Sequence, residues 1–213
     1  MSLEVRGLTV GMVQENCYLV RMPGADRAVM IDPGEEAERL LGAIEEMGVT
    51  LEAILLTHTH FDHVGAVAPV ARATGAPVWC PEIEVPVLAD IMRYVLWEGF
   101  GPYESYEADH TVAGGETLEL AGITFEVVFT PGHSPGHVTY AVPEHDALFS
   151  GDVLFEASVG RVDLPGGDWP TLERSIAKLL DAYPDEATVY PGHMGVTTLG
   201  RERASNPFLR AIA

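Results

Sequence analysis

Lysine is almost missing from this chain. Lys178 is its only one, and 12 basic residues face 32 acidic ones for a formal net charge of −20. Such a field repels phosphate backbones and anionic headgroups, so neither nucleic acid nor a membrane surface is an expected partner. Cysteine is scarce too. Cys17 and Cys80 are too few for a disulfide framework and are not spaced as a redox or zinc pair, and their apolar neighbours predict two buried free thiols. No apolar run approaches the roughly 18 residues that span a bilayer, and the N-terminal MSLEVRGLTV lacks a charged-then-apolar signal pattern. The expectation is a soluble, cytoplasmic protein. Low-complexity segments, linkers and short repeats are absent as well.

What is present is the material of an ordinary globular domain: 213 residues, 47% apolar and 8% aromatic, read as one domain over 1–213. Strand-like stretches open the chain at GLTVGM, NCYLVRM and AVMID. In EEAERLLGAIEEMG, the residues Ala37, Leu40, Leu41, Ile44 and Met47 recur at helical spacing, with Gly48 where a C-cap glycine belongs. A buried strand over 53–57 follows, then a short helix over Ala66–Thr74 closed by Gly75. Leu88, Ile91, Met92, Val95 and Leu96 hint at a helix before the stretch WEGFGPYESY, which has the character of a lid or pocket wall. Strands return at ETLELAG, ITFEVVFT, VTYAV and ALFSGD. A second helix starts near Pro170, with Asp168 as cap and Leu172, Ile176, Leu179 and Leu180 as its apolar face, and ATVYP is the last strand. Strands followed by a helix in both halves predict two sheets packed face to face with helices outside.

The chemistry concentrates in THTHFDHVG, residues 57–65. Four potential ligands, His58, His60, Asp62 and His63, stand within six positions directly after an apolar strand. Polar groups clustered at the end of a buried strand need partners, and a metal supplies them. Residues two apart in extended chain point to one side, so His58 and His60 can converge on one ion. The turn through Asp62 and His63 carries the next pair to a neighbouring position. Three more candidates each follow an apolar strand: His133 in FTPGHSPGH, Asp152 in LFSGD and His193 in VYPGH. Each alone reads as a turn, but together they recur at one structural place, and they complete about three or four ligands per ion if Asp152 bridges.

The motif HxHxDH at 58–63, followed in order by His133, Asp152 and His193, resembles the metallo-β-lactamase fold superfamily and within it the glyoxalase II-like hydrolases. SVGRVDLPGGD at 158–168 and PGHMGVTTLGRERASNPFL at 191–209 resemble the short bacterial branch. The resemblance implies an α/β (α+β) fold, a four-layer αββα sandwich. It implies a first metal held by His58, His60 and His133, a second held by Asp62, His63 and His193, and Asp152 bridging. The activity implied is hydrolysis of S-acyl, S-lactoyl glutathione-type thioesters by a metal-bound hydroxide, with Asp62 and Asp152 as the catalytic carboxylates and two divalent ions as cofactors. Zinc is the first choice, iron and manganese the alternatives. The partner implied is a small-molecule acyl thioester.

Departures narrow the family. His60 stands where flavodiiron proteins carry a glutamate, the true β-lactamases lack the bridging aspartate, and the charge disfavours the nucleases of this fold. The longer glyoxalase II enzymes add a helical domain with glutathione contacts that has no counterpart here. A mononuclear iron persulfide dioxygenase, using His58, His133 and Asp152, and a lactonase are the rival readings. Outside the ligand set, His137 fits a supporting position behind the ligands, and His110 and His145 read as solvated. Arg161 in VGRVD orders its loop or meets substrate, the local pairing being favoured, while Arg201 and Arg203 are substrate clamps or surface charges.

Overall fold

A computed structural model describes residues 2–210. Its first sheet runs in order through β1 (Glu4–Val10), β2 (Glu15–Arg21), β3 (Arg27–Ile31), β4 (Thr50–Leu55), β5 (Val78–Pro81) and β6 (His110–Val112). β1, β2 and β3 pair antiparallel, and β3 through β6 are parallel. The second sheet contains β7 (Thr117–Leu120), β8 (Ile123–Phe129), β9 (Val138–Val142) and β10 (Ala147–Gly151). A small ribbon of β11 (Leu154–Phe155) and β12 (Ser158–Val159) leaves it before β13 (Thr188–Pro191) and β14 (Thr197–Thr198) complete it. The sheet is antiparallel apart from the β10–β13 pair.

Side chains alternate across each strand, and the two faces enter different cores. In β2, Leu19 joins the outer core while Tyr18 and Val20 face the other sheet; in β3, Met30 goes outward while Val29 and Ile31 go inward. The inward set meets Phe125, Tyr140 and Phe149 of the second sheet. Outside the first sheet lie α1 (Ala37–Met47), the single turn α2 (Phe61–Val64) and α3 (Val67–Thr74), with Leu40, Ile44, Val67 and Val70 buried in the outer core. Two further turns, α4 (Val85–Leu88) and α5 (Ile91–Tyr94), follow β5. Outside the second sheet, α6 (Trp169–Ala182) lays Leu172, Ile176, Leu179 and Leu180 onto Leu148 and Val189, and α7 (Leu199–Ser205) is followed by a 3-10 turn over Pro207–Leu209. Three cores separate four layers, αββα, as expected.

Local chemistry sets the boundaries. Gly48 and Gly75 close α1 and α3 in the left-handed conformation at φ 62° and 71°. Asp168 caps α6 through Oδ2, which accepts from the Thr171 N–H at 2.9 Å, and Pro170 sits in the first turn. Both cysteines are buried free thiols. Several elements differ from expectation, among them β5, β6 and the β11–β12 ribbon, where no strand is predicted. The turn through Asp62 and His63 is the helical turn α2. The helix hinted over 88–96 breaks into α4 and α5. After His193 the chain adds β14 and α7, where no element is predicted. Among the described residues, no helix is long and apolar enough to cross a membrane.

Candidate metal centre

β4, β8, β10 and β13 all deliver ligands from their C-terminal ends, where open sheets carry their sites. His58 and His60 follow β4, His133 lies in the loop after β8, Asp152 follows β10 and His193 follows β13. Two glycines make room. A Cβ at Gly151, which has φ +46°, would meet the Thr57 hydroxyl and His137 Nε2. One at Gly192 would strike Asp152 Oδ1 and His63 Cε1. The glycines that suggest ordinary turns in SGD and PGH are therefore required by close approach to the centre.

The structure brings all seven candidate residues together: His58, His60 and His133 form one group and Asp62, His63 and His193 another, while Asp32, His58 and His63 make a third that overlaps both. In the first, His60 Nδ1 lies 3.1 Å from His58 Nε2 and 2.8 Å from His133 Nε2. In the second, Asp62 Oδ2 lies 3.3 Å from His193 Nε2 and 3.8 Å from His63 Nε2. Asp152 stands between them: Oδ2 is 3.3 Å from His133 Nε2 and 3.6 Å from His193 Nε2, while Oδ1 is 3.3 Å from His63 Nε2.

Hydrogen bonds behind the ligands fix which nitrogen faces inward. His133 Nδ1 donates to the Arg161 carbonyl at 2.7 Å, leaving Nε2 to the centre. The Thr57 hydroxyl donates to Asp32 Oδ2 at 2.6 Å and so accepts from His58 Nδ1 at 3.1 Å. His63 Nδ1 donates to the same Asp32 oxygen at 3.1 Å. Asp32 is held for this at φ 49°, an uncommon conformation for a residue other than glycine. His137, as expected, supports from behind: its Nε2 accepts from the Asp152 N–H at 3.0 Å, and its Nδ1 reaches the Thr130 hydroxyl at 3.1 Å.

This donor set fits a cation. With Nδ1 of His58 and His133 committed, their Nε2 atoms both turn a lone pair toward His60 Nδ1, which carries at most one proton and so leaves an acceptor for a cation. The spacing of these nitrogens approaches the edge of about 3.3 Å expected for a tetrahedral ion with bonds near 2.0 Å. In the second group, His63 Nε2 and Asp152 Oδ1 are buried without a hydrogen-bond partner. The electrostatics divide the histidines. Burial, helped by neighbouring imidazoles, drives His58 far down and His60 to about 3, so both are neutral, as a metal ligand must be. Against burial, the Asp152 and Asp62 carboxylates raise His63 and His193 toward the imidazolium, marking the second group as a place for positive charge. Burial opposes ionisation of Asp152, but His63, His133 and His193 outweigh it and hold the carboxyl far below its usual range.

Other candidates fall outside the centre. Arg161 lines the adjoining cavity, but its Nε and Nη2 are both held at 2.7 Å by Asp163, the local pairing favoured from sequence. Arg201 and Arg203 require a correction: neither lines the cavity. Arg201 pairs with Glu156 at 2.7 Å and Arg203 with Asp185 at 3.1 Å, so of the two readings left open, substrate clamp or surface charge, the structure supports the second. His110 is exposed and leans on Trp79, with centroids 4.2 Å apart; His145 is half-buried. Sequence reasoning misses four buried carboxylates. Asp32 and Glu15 lie behind His63. Glu84 accepts from the Thr59 and Ser134 hydroxyls at 2.7 Å each and from the Gly136 N–H at 2.8 Å, tying the two first-group loops together. Glu202 takes the Thr197 hydroxyl at 2.6 Å and the Ala157 N–H at 2.8 Å.

The centre forms the floor of a cavity of about 710 Å3. The model of the metallo-β-lactamase superfamily matches residues 10–193, a span that holds all seven ligands. The hydroxyacylglutathione hydrolase GloC of Haemophilus influenzae is 37% identical over 213 residues, covering 99% of each chain. The crystal structure of the BLEG-1 B3 metallo-β-lactamase superposes with a TM-score of 0.91 at 39% identity, covering 97% of this chain and 100% of that one. That of TTHA1623 in a di-iron-bound form does so with a TM-score of 0.85 at 44% identity, covering 96% and 100%. With two histidine–aspartate groups at the strand ends of an αββα sandwich and a family match across most of its length, this chain belongs to the metallo-β-lactamase superfamily.

Proposed function

We propose that the protein is a metal-dependent thioesterase that cleaves S-acyl thioesters of small thiols, those of glutathione among them. The observation that carries this reading is the convergence of seven ligands, in two groups shared by Asp152, on the floor of a cavity large enough for a small molecule. GloC, similar over its whole length, is named for hydrolysis of such a thioester. His58, His60 and His133 would hold one divalent ion, Asp62, His63 and His193 the other, with Asp152 touching both. Bound there, the ions would supply acidified water and Lewis-acid polarisation of a carbonyl, the two needs of an acyl transfer to water.

The chain's own part is positioning. Buried His58, His63 and His137 wall the floor from bulk solvent, while Asp62, partly open to the cavity, is placed to take the proton that the attacking water gives up. The water oxygen bonds to the acyl carbon, the C–S bond breaks, and the thiol departs as a thiolate. Thiols ionise near pH 8.5, so no side-chain acid is required for departure. Zinc, iron and manganese all suit imidazole and carboxylate donors, and the di-iron form of TTHA1623 speaks for iron.

A second reading has an observation of its own. The B3 metallo-β-lactamase structure resembles this chain closely enough for an amide of a strained ring to be a substrate. One experiment separates the readings. Protein reconstituted with zinc, manganese or anaerobic ferrous iron is assayed on S-D-lactoylglutathione and on a chromogenic cephalosporin, with oxygen uptake on a glutathione persulfide as the third arm. Thioester turnover supports the proposal. Turnover confined to the cephalosporin or to the persulfide overturns it.

A further inference from the structure

The cavity wall carries information that its floor does not. Ile83, Ile91, Leu96, Trp97, Phe100 and Leu164 line it. Ile83 and Leu96 are each 56% exposed and Trp97 41%, and so much uncovered apolar surface at the mouth of a site marks where an apolar ligand group lies. The wall rests directly on the metal loop. Phe61, between ligands His60 and Asp62, has its ring centroid 4.7 Å from that of Phe100 and 5.9 Å from that of Trp97.

Positive charge is rationed there. Arg93 and Arg161 are the cationic residues of the lining, and Arg161 is neutralised by Asp163 through two bonds of 2.7 Å. Among the described residues, no carboxylate lies within ion-pair reach of Arg93; its guanidinium stands 6.0 Å from the centroid of the Tyr94 ring. Glutathione brings two carboxylates and an ammonium, and lactoyl is a small hydroxylated group. Neither matches a broad apolar wall with one available cation.

Resting on the thioesterase reading, we infer that the preferred substrate is a thioester with a long aliphatic or aryl acyl group on a compact, singly anionic thiol: the wall takes the acyl group and Arg93 meets the anion. Arg93 and Trp97 are then the residues that set specificity.

The probes are acetyl through octanoyl thioesters of 3-mercaptopropionate, which carries one carboxylate, and of uncharged N-acetylcysteamine. Their uncleavable S-ethyl and S-octyl thioethers are titrated by calorimetry. In wild-type protein, S-octyl 3-mercaptopropionate should bind at least about tenfold more tightly than the S-ethyl compound, a fraction of the gain of about fourfold per buried methylene. The kcat/KM of the thioesters should climb in parallel and pass that of S-D-lactoylglutathione. Trp97→Ala should flatten the gradient. Arg93→Gln should weaken the carboxylate thioether about fivefold relative to the uncharged one. Equal binding of ethyl and octyl compounds, or an equal effect of Arg93→Gln on both carriers, overturns the inference. The expected binding pattern without hydrolysis of any thioester leaves the pocket assignment standing and removes the thioesterase reading. Hydrolysis without the gradient does the reverse.

Discussion

Asp32 Oδ2 accepts the His63 Nδ1 proton at 3.1 Å, across 31 residues of sequence. The same oxygen takes the Thr57 hydroxyl at 2.6 Å, and that hydroxyl in turn accepts from His58 Nδ1. One carboxylate therefore orients a histidine in each ligand group, presenting Nε2 of both to the centre. The two groups are built as one unit, joined from behind through Thr57 and Asp32.

Replacing Asp32 with Asn tests that unit. Asparagine tolerates the left-handed backbone at this position, so the fold should survive while the charged acceptor is lost. Metal affinity, measured by competition with a chromophoric chelator, should fall about 10- to 100-fold, the usual consequence of losing a partner behind a metal-bound imidazole. Unchanged affinity would show that Asp32 only shapes its turn.

Metal removal should cost stability. Without ions, the buried His63 Nε2 and Asp152 Oδ1 have no partner, and His60 Nδ1 can satisfy only one of the two Nε2 atoms it faces. Dialysis against a chelator should lower the calorimetric Tm by about 5 °C or more, reversed by adding the metal back. Identical melting of the two forms would argue that the cluster is relaxed without ions.

The ligand set is the most legible part of this protein because its chemistry lies on the string. His58, His60, Asp62 and His63 are crowded together, and His133, Asp152 and His193 each follow an apolar strand. The supporting carboxylates are another matter. Asp32 in MIDPGEE looks like any turn aspartate, and Glu84 in PEIEVPV is one of several acids in its stretch. Their partners stand 25 to 50 residues away, beyond the reach of local pattern. The layers were readable from periodicity, as in Leu40 and Ile44 of α1 or Leu172 and Ile176 of α6. Helix breaks near 90 and the pairing of Arg201 and Arg203 depend on tertiary contacts that periodicity does not encode.

The C-terminal signature TTLGRERASN has a structural explanation. Glu202, 1% exposed, accepts from the Thr197 hydroxyl, the Ala157 N–H and Asn206 Nδ2, and Asn206 also donates to the Ser158 carbonyl at 2.9 Å. This clamp fastens α7 to the β11–β12 ribbon. Glu202→Ala should cost about 2–4 kcal/mol in chemical denaturation, since three donors lose a charged acceptor. A loss below about 1 kcal/mol would contradict the assignment.

In the proposed centre two ions share Asp152. The direct test is the metal content of Asp152→Ala, determined by elemental analysis on protein whose calorimetric unfolding confirms a folded chain. Two equivalents are expected in the parent protein and fewer than one in the variant, with thioester hydrolysis reduced at least about 100-fold, because one substitution removes a ligand from both ions. Two retained equivalents in folded Asp152→Ala would show that Asp152 does not hold them.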